Sequence, residues 1–233
     1  MDETRPKNLI WDDEFVGEVA RTASACKVIL WAPVFWLCYS QIDGNYGTMA
    51  AAMTINGTPN DLIQNLNPIS IIVLIPVFDY GVYPFLRWKG INFSPIKRIA
   101  TGFIVVGISM IYAGVLQHYI YKMSPWQDNL PSECTDAEGY PLAAPINVWV
   151  ISGPHILVGI GEIFASITAL EYAFTKAPQR MKSVVMAVAQ FQVAVASAWN
   201  VVLVPANCED RFGWLFGSFA IAAFVVGALF MWT

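Results

Sequence analysis

The chain has 233 residues, of which 56% are hydrophobic, 14% aromatic and only 13% charged, with a mean hydropathy of +0.51. Soluble domains carry about 25% charge, so roughly half of that is absent, which excludes a disordered chain, a coiled coil and an ordinary cytosolic enzyme. A formal net charge of −4 lacks the basic footprint of a nucleic-acid binder. Cys26, Cys38, Cys134 and Cys208 are scattered, with only His118 and His155 to join them. No metal-ligand spacing results, and no metal or other cofactor is expected.

The first 27 residues read as a cytosolic linker. They are acidic at Asp12-Asp13-Glu14 and lack the apolar core of a signal peptide. Trp11, Phe15, Val16, Val19, Ala20 and Ala23 recur at helical spacing and predict a short amphipathic helix on the membrane face. Six apolar runs follow, over 28–53, 59–86, 99–121, 146–174, 184–204 and 212–232. Each is long enough for the roughly 20 residues that cross a bilayer core. Six in so short a chain predict an all-α membrane protein rather than buried helices of a soluble core. The alternating strands of a membrane β-barrel are absent.

The basic residues set the expected orientation. Arg5, Lys7, Arg21 and Lys27 precede the first run, Arg87, Lys89, Lys97 and Arg98 separate the second from the third, and Lys176, Arg180 and Lys182 separate the fourth from the fifth. Those positions are expected in the cytosol, with both termini, while the opposite side keeps only Lys122 and Arg211. The outer loop after Lys122 is acidic (Asp128, Glu133, Asp136, Glu138) and holds Cys134, and the turn before the last run holds Cys208. An oxidising exterior allows these two to pair, and two separate thiols remain the alternative. Asn56-Gly57-Thr58 is a glycosylation sequon on the same side, close to the membrane. Thr58-Pro59-Asn60-Asp61 also reads as a helix start.

A charge at mid-bilayer costs a few kcal/mol even on lenient scales, so carboxylates inside the runs invite a role. Asp43, Asp79, Glu162 and Glu171 are the four. Asp79 and Glu171 lie toward cytosolic ends, where Arg87, Lys176 and Arg180 are near in sequence, and they read as structural anchors. Glu162 sits near the centre of its run, far in sequence from any base. At 100° per residue it shares a stripe with Ser152, His155, Gly159 and Ser166, and Glu171 falls on the opposite face. The stripe suits a watery cavity; the alternative is a packing seam around Gly159 and Ser166 with a protonated Glu162. The first run clusters Trp36, Tyr39, Ser40, Gln41, Asp43, Asn45 and Tyr46 around Gly44, a point where the helix can bend. In the second, Asn67-Pro68 removes a backbone donor and disfavours helix at Asn67, so Asn67 either lines an interior or caps a local kink. No nucleophile–base pair, phosphate-binding glycine loop or metal site points to an enzyme.

Three stretches carry a family resemblance: Phe35-Trp36-Leu37-Cys38-Tyr39-Ser40-Gln41, Leu66-Asn67-Pro68-Ile69, and the run from Gly161-Glu162-Ile163 through Ser166 to Glu171-Tyr172, closed by Lys176-Ala177-Pro178. They resemble the seventh, eighth and tenth helices of the proton-dependent oligopeptide transporters of the major facilitator superfamily, in the fungal-type branch. The resemblance implies six transmembrane helices forming the C-terminal half-bundle of such a transporter, which carries di- and tripeptides inward with protons. It implies that Glu162 receives the peptide ammonium, that Ser166 and Asn67 face the same pocket, and that Trp36 occupies an aromatic position. Tyr39 and Gln41, within the first matching stretch, join them as candidate substrate contacts.

Glu162, Asp43 and His155 are the candidates for proton coupling; some relatives place an acid just before the glutamine of the seventh helix, where this chain has Ser40 and offers Asp43 instead. The E-x-x-E-R and F-Y-x-x-I-N-x-G motifs of the family's first six helices do not occur. The expected partners are therefore peptide, protons, the lipid bilayer of a plasma membrane and a missing N-terminal six-helix half, in the same longer chain or a separate one. The last run stops at Trp232-Thr233 without a basic tail, which also reads as a fragment. Alternatives are a relative carrying another small solute such as nitrate, and a six-span scaffold or regulatory subunit that transports nothing.

Overall fold

The computed structural model describes residues 12–55, 57, 59–124, 142–206 and 211–232. Asn56, Cys134 and Cys208, and with them the glycosylation and disulfide expectations, lie outside the described residues. Six helical runs are long and apolar enough to cross a membrane: Asp13–Tyr39, Leu62–Trp88, Pro95–Met123, Val148–Lys176, Gln179–Leu203 and Phe212–Trp232.

The first run begins in the amphipathic segment. Helix α1 (Asp13–Cys26) is capped by Asp12, whose carboxylate accepts from the Phe15 amide at 2.8 Å, and it places Asp13 and Glu14 in its first turn, where acids complement the helix dipole. A 3-10 turn, Ile29–Trp31, leads without a gap into α2 (Ala32–Tyr39). The run first read as 28–53 does not remain one helix: the backbone leaves helical geometry at Gly44 (φ −104°, ψ −89°) and resumes as the short α3 (Asn45–Ala51).

Proline shapes the second run. After α4 (Asn60–Gln64) the chain turns at Asn65 and restarts as α5 (Leu66–Val77), where Pro68 falls within the first turn and its missing N–H goes unneeded. Pro76, inside α5, removes a hydrogen bond, and a π-helical turn, Phe78–Val82, follows before α6 (Tyr83–Trp88). The third run is unbroken. Helix α7 (Pro95–Met123) has Ser94 as its cap, with Pro95 in its first turn, and its 29 residues span about 44 Å at 1.5 Å each. In the fourth run, α8 (Ser152–Glu162) and α9 (Thr168–Lys176) are joined by a second π-helical turn, Ile163–Ile167. Helices α10 (Lys182–Leu203) and α11 (Phe212–Trp232) complete the bundle.

Packing centres on α7, which lies against α11 and α8, while α5 lies against α8 and α2 against α10. Lipid removes the hydrophobic drive between helices, so close approach depends on small residues. Gly161 meets the Val106 side chain, and Gly102 of α7 meets backbone: a Cβ at 102 would lie 2.8 Å from the Ala165 Cβ and 3.0 Å from its Cα in the second π turn. Phe103 and Phe230 stack at 5.8 Å and 18°, joining α7 to α11. Large apolar side chains such as Ile72, Val201 and Trp214 point outward, as a lipid-facing surface requires.

A small parallel ribbon ties two connections together. β1 (Met53–Thr54) pairs with β2 (Ala144–Asn147), and the Thr54 hydroxyl donates to the Ala144 carbonyl at 2.8 Å. This pairing puts the link after the first run and the link before the fourth on one side, as two intervening crossings demand.

Candidate functional site

Asn67 joins three runs. It lies in the first turn of α5, 1% exposed, and its Nδ2 donates at 3.3 Å to the Tyr39 hydroxyl at the end of α2 and at 3.3 Å to Glu162 Oε2 at the end of α8. Its Oδ1 is buried and accepts no hydrogen bond from the described residues. Gly159, one turn before Glu162, makes room for it, since a Cβ at 159 would come within 2.9 Å of Asn67 Oδ1. Glu162 is half-buried and stands directly before the π turn, where the Thr168 hydroxyl donates to the Ile163 carbonyl at 3.1 Å. π-helical turns of this kind concentrate at functional sites. A carboxylate oxygen and a phenol thus converge on the Asn67 amide nitrogen, the three groups coming from three helices inside an apolar bundle. Their acceptors suit a cationic donor.

Gly159→Ala is expected to push Asn67 off this geometry. The 2.9 Å approach must relax, and overpacking of this kind costs about 1–3 kcal/mol. Substrate uptake by the full-length protein should fall about tenfold or more while the amount in the membrane stays constant, measured by paired uptake and surface-labelling assays.

The other sequence candidates divide into separate neighbourhoods. Trp36 packs edge-on against Tyr39 at 5.2 Å and lines a cleft with Ser166 and Gln190, so Trp36 and Ser166 meet in a space adjoining the Glu162 cluster. Gln41 is buried in a different network: its amide donates to the Leu37 carbonyl at 3.0 Å and its Oε1 accepts from Asn45. Ser40 accepts from Asn200 of α10, a tie between the first and fifth runs that helical spacing did not single out. His155 is 1% exposed, bonded through Nδ1 to the Ile151 carbonyl at 2.8 Å and packed on the Tyr46 ring at 5.2 Å. The described contacts of His155 do not include Glu162. Asp43 is exposed at the turn after α2, close enough for its charge to be felt at Tyr39 and His155. Among the described residues no group of three or more His, Cys, Asp and Glu side chains is placed to hold a metal ion.

The stripe expected along the fourth run is modified by the π turn. Such a turn carries one extra residue, which rotates everything beyond it by about 100°, so the count that set Glu171 opposite Glu162 does not carry through Ile163–Ile167. Glu171 is exposed, and together with Asp79 and Arg98 it lies within electrostatic reach of Tyr83. Lys176 and Lys182 stand over the Tyr172 and Phe174 rings at 5.9 and 4.5 Å.

Six apolar runs around an internal polar cluster define a multi-pass membrane protein with the half-bundle architecture of a twelve-helix transporter. Residues 4–215 match the family described as PTR2, the POT family, and the chain belongs to it. It is 40% identical over 224 residues to the peptide transporter PTR_C of Candidozyma auris, covering 96% of this chain and 39% of that one. It is 38% identical over 225 residues to the peptide transporter PTR2 of Saccharomyces cerevisiae, covering 96% and 36%. Two solved structures share the fold: an auto-inhibited POT family peptide transporter (TM-score 0.77, 23% identity, 94% of this chain and 41% of that one) and the POT family transporter PepTSo (TM-score 0.78, 20% identity, 95% and 43%). The chain thus spans about two fifths of the length of these relatives.

Proposed function

We propose that this chain supplies the C-terminal half-bundle of a proton-coupled symporter for di- and tripeptides. The observation that carries this reading is the Tyr39–Asn67–Glu162 cluster, which gathers polar groups from three helices in a chain whose relatives are named as peptide transporters. A peptide ammonium entering a desolvated cavity needs an opposing carboxylate, which Glu162 supplies, and a further acceptor for its remaining hydrogens, which the Tyr39 hydroxyl can provide. With no peptide bound, the same carboxyl can carry a proton, which links the two cargoes. Ser166 and Trp36 line the adjoining cleft and meet the peptide's side chains. Tyr39 orients Asn67; Gln41, Asp43 and His155 act at a distance from the ammonium.

In this reading residues 1–27 are a cytosolic linker whose helix α1 runs on into the bundle formed by residues 28–233, both termini face the cytosol, and the protein works in the plasma membrane. A second six-helix half, on the same longer chain or a partner, completes the midplane site, because transporters of this architecture bind between two halves that rock against each other. Uptake of a labelled dipeptide by cells expressing the full-length protein tests it. Unlabelled di- and tripeptides should compete, free amino acids and nitrate should not, and a protonophore should stop accumulation. Competition by nitrate in place of peptides would assign a different cargo.

A further inference from the structure

We infer that the turn joining the second and third runs is a binding site for the phosphate headgroup of an anionic phospholipid. Tyr83, Arg87, Asn92, Phe93, Ser94 and Arg98 line a cleft of about 360 Å³ at the end of α6 and the start of α7. Arg98 is held in place: its guanidinium lies 4.1 Å over the Tyr83 ring and 5.8 Å from the Phe93 ring, and its Nε donates to the Phe93 carbonyl at 3.2 Å. A guanidinium fixed in this way retains donors for a phosphate without first losing side-chain freedom. Arg87 faces the same cleft, and the Asn92 amide and Ser94 hydroxyl add neutral polar groups.

The surroundings match a lipid rather than a soluble anion. Both flanking runs end here, so the cleft lies at the membrane–water boundary. Trp88 is 79% exposed, Phe85 is exposed beside it, and Lys89 Nζ stands 5.6 Å over the Phe85 ring. Exposed aromatic groups at this level settle among headgroups and acyl chains. The sequence holds Arg87, Lys89, Lys97 and Arg98 here and has no acidic residue from 80 to 127. Asp79 and Glu171 act on Tyr83 but do not line the cleft. In the orientation proposed above, this end faces the cytosolic leaflet, which carries the anionic lipids.

Native mass spectrometry of the full-length protein, equilibrated with equimolar phosphatidylglycerol and phosphatidylcholine of identical acyl chains, tests the site. Wild-type protein should retain phosphatidylglycerol in preference by about tenfold or more. Arg87→Gln combined with Arg98→Gln should bring the two lipids to parity, whereas Arg180→Gln combined with Lys182→Gln, at another basic turn, should leave the preference unchanged. If loss of the Arg98 stack prevents folding, Arg87→Gln with Lys89→Gln removes charge from the cleft and its rim while keeping that stack, and the same loss is expected. Equal retention by wild type, or an undiminished preference in the cleft variants, would overturn the proposal. Displacement of the lipid by millimolar inorganic phosphate would reassign the cleft to a soluble anion.

Discussion

Glu162→Gln is expected to abolish peptide-driven uptake by the full-length protein while leaving it folded and inserted. Glutamine has nearly the same shape, and its carbonyl oxygen can still accept from Asn67 Nδ2, now 3.3 Å from Glu162 Oε2. What disappears is the charge. Removing one member of a desolvated charge pair costs about 2–5 kcal/mol, enough to weaken binding of the peptide ammonium by tens to thousands of fold, and the amide cannot carry a transported proton. Paired measurements of labelled dipeptide uptake and of surface-accessible protein separate these effects from misfolding. Normal uptake by this variant would remove Glu162 from the mechanism.

Gly102→Val is expected to give the largest loss of stability. A Cβ at 102 would stand 2.8 Å from the Ala165 Cβ and 3.0 Å from its Cα, so the approaching atoms include backbone, which cannot rotate aside. Inserting bulk into a packed interior typically costs about 1–3 kcal/mol, and here the two added γ carbons meet α7 and the π turn that follows Glu162. Heating in detergent followed by fluorescence-detected size-exclusion should show a lowered midpoint and reduced recovery. Gly217→Ala in α11 is the matched control: nothing lies within 4 Å of a Cβ there, and its midpoint should not fall.

The number of crossings was legible because length and apolarity alone decide whether a segment can span lipid. A break in the second run was legible from Pro68, but it falls at Asn65, and Asn67, where helix was disfavoured by the following proline, lies within the first turn of α5. Glu162 stood out because a carboxylate so deep in an apolar run is expensive. Which polar groups meet across helices was not legible. Tyr39 and Gln41 are close in sequence, yet the first bonds to Asn67 and the second to its own helix and Asn45. That division depends on how α2 is rotated against α5 and α10. The π turn at Ile163–Ile167 had no sequence signal either, since no residue type encodes it, and it altered the facing of everything beyond. The amphipathic helix expected before residue 28 is α1, and its continuation into the first run reflects tertiary support: Ala25, Cys26 and Ile29 pack on Ala173, Ala177 and Val185, which hold it against the bundle.

The ribbon of β1 and β2 bears on the order of assembly during membrane insertion. The Thr54–Ala144 bond joins residues 90 apart, and the segment between them contains two complete crossings. It cannot close while the ribosome is still delivering the third run. Closure therefore reports that this hairpin of spans has entered and returned, and the Ala144 amide, bonded to the Ala52 carbonyl at 2.9 Å, becomes protected against exchange with solvent only at that late stage of biogenesis.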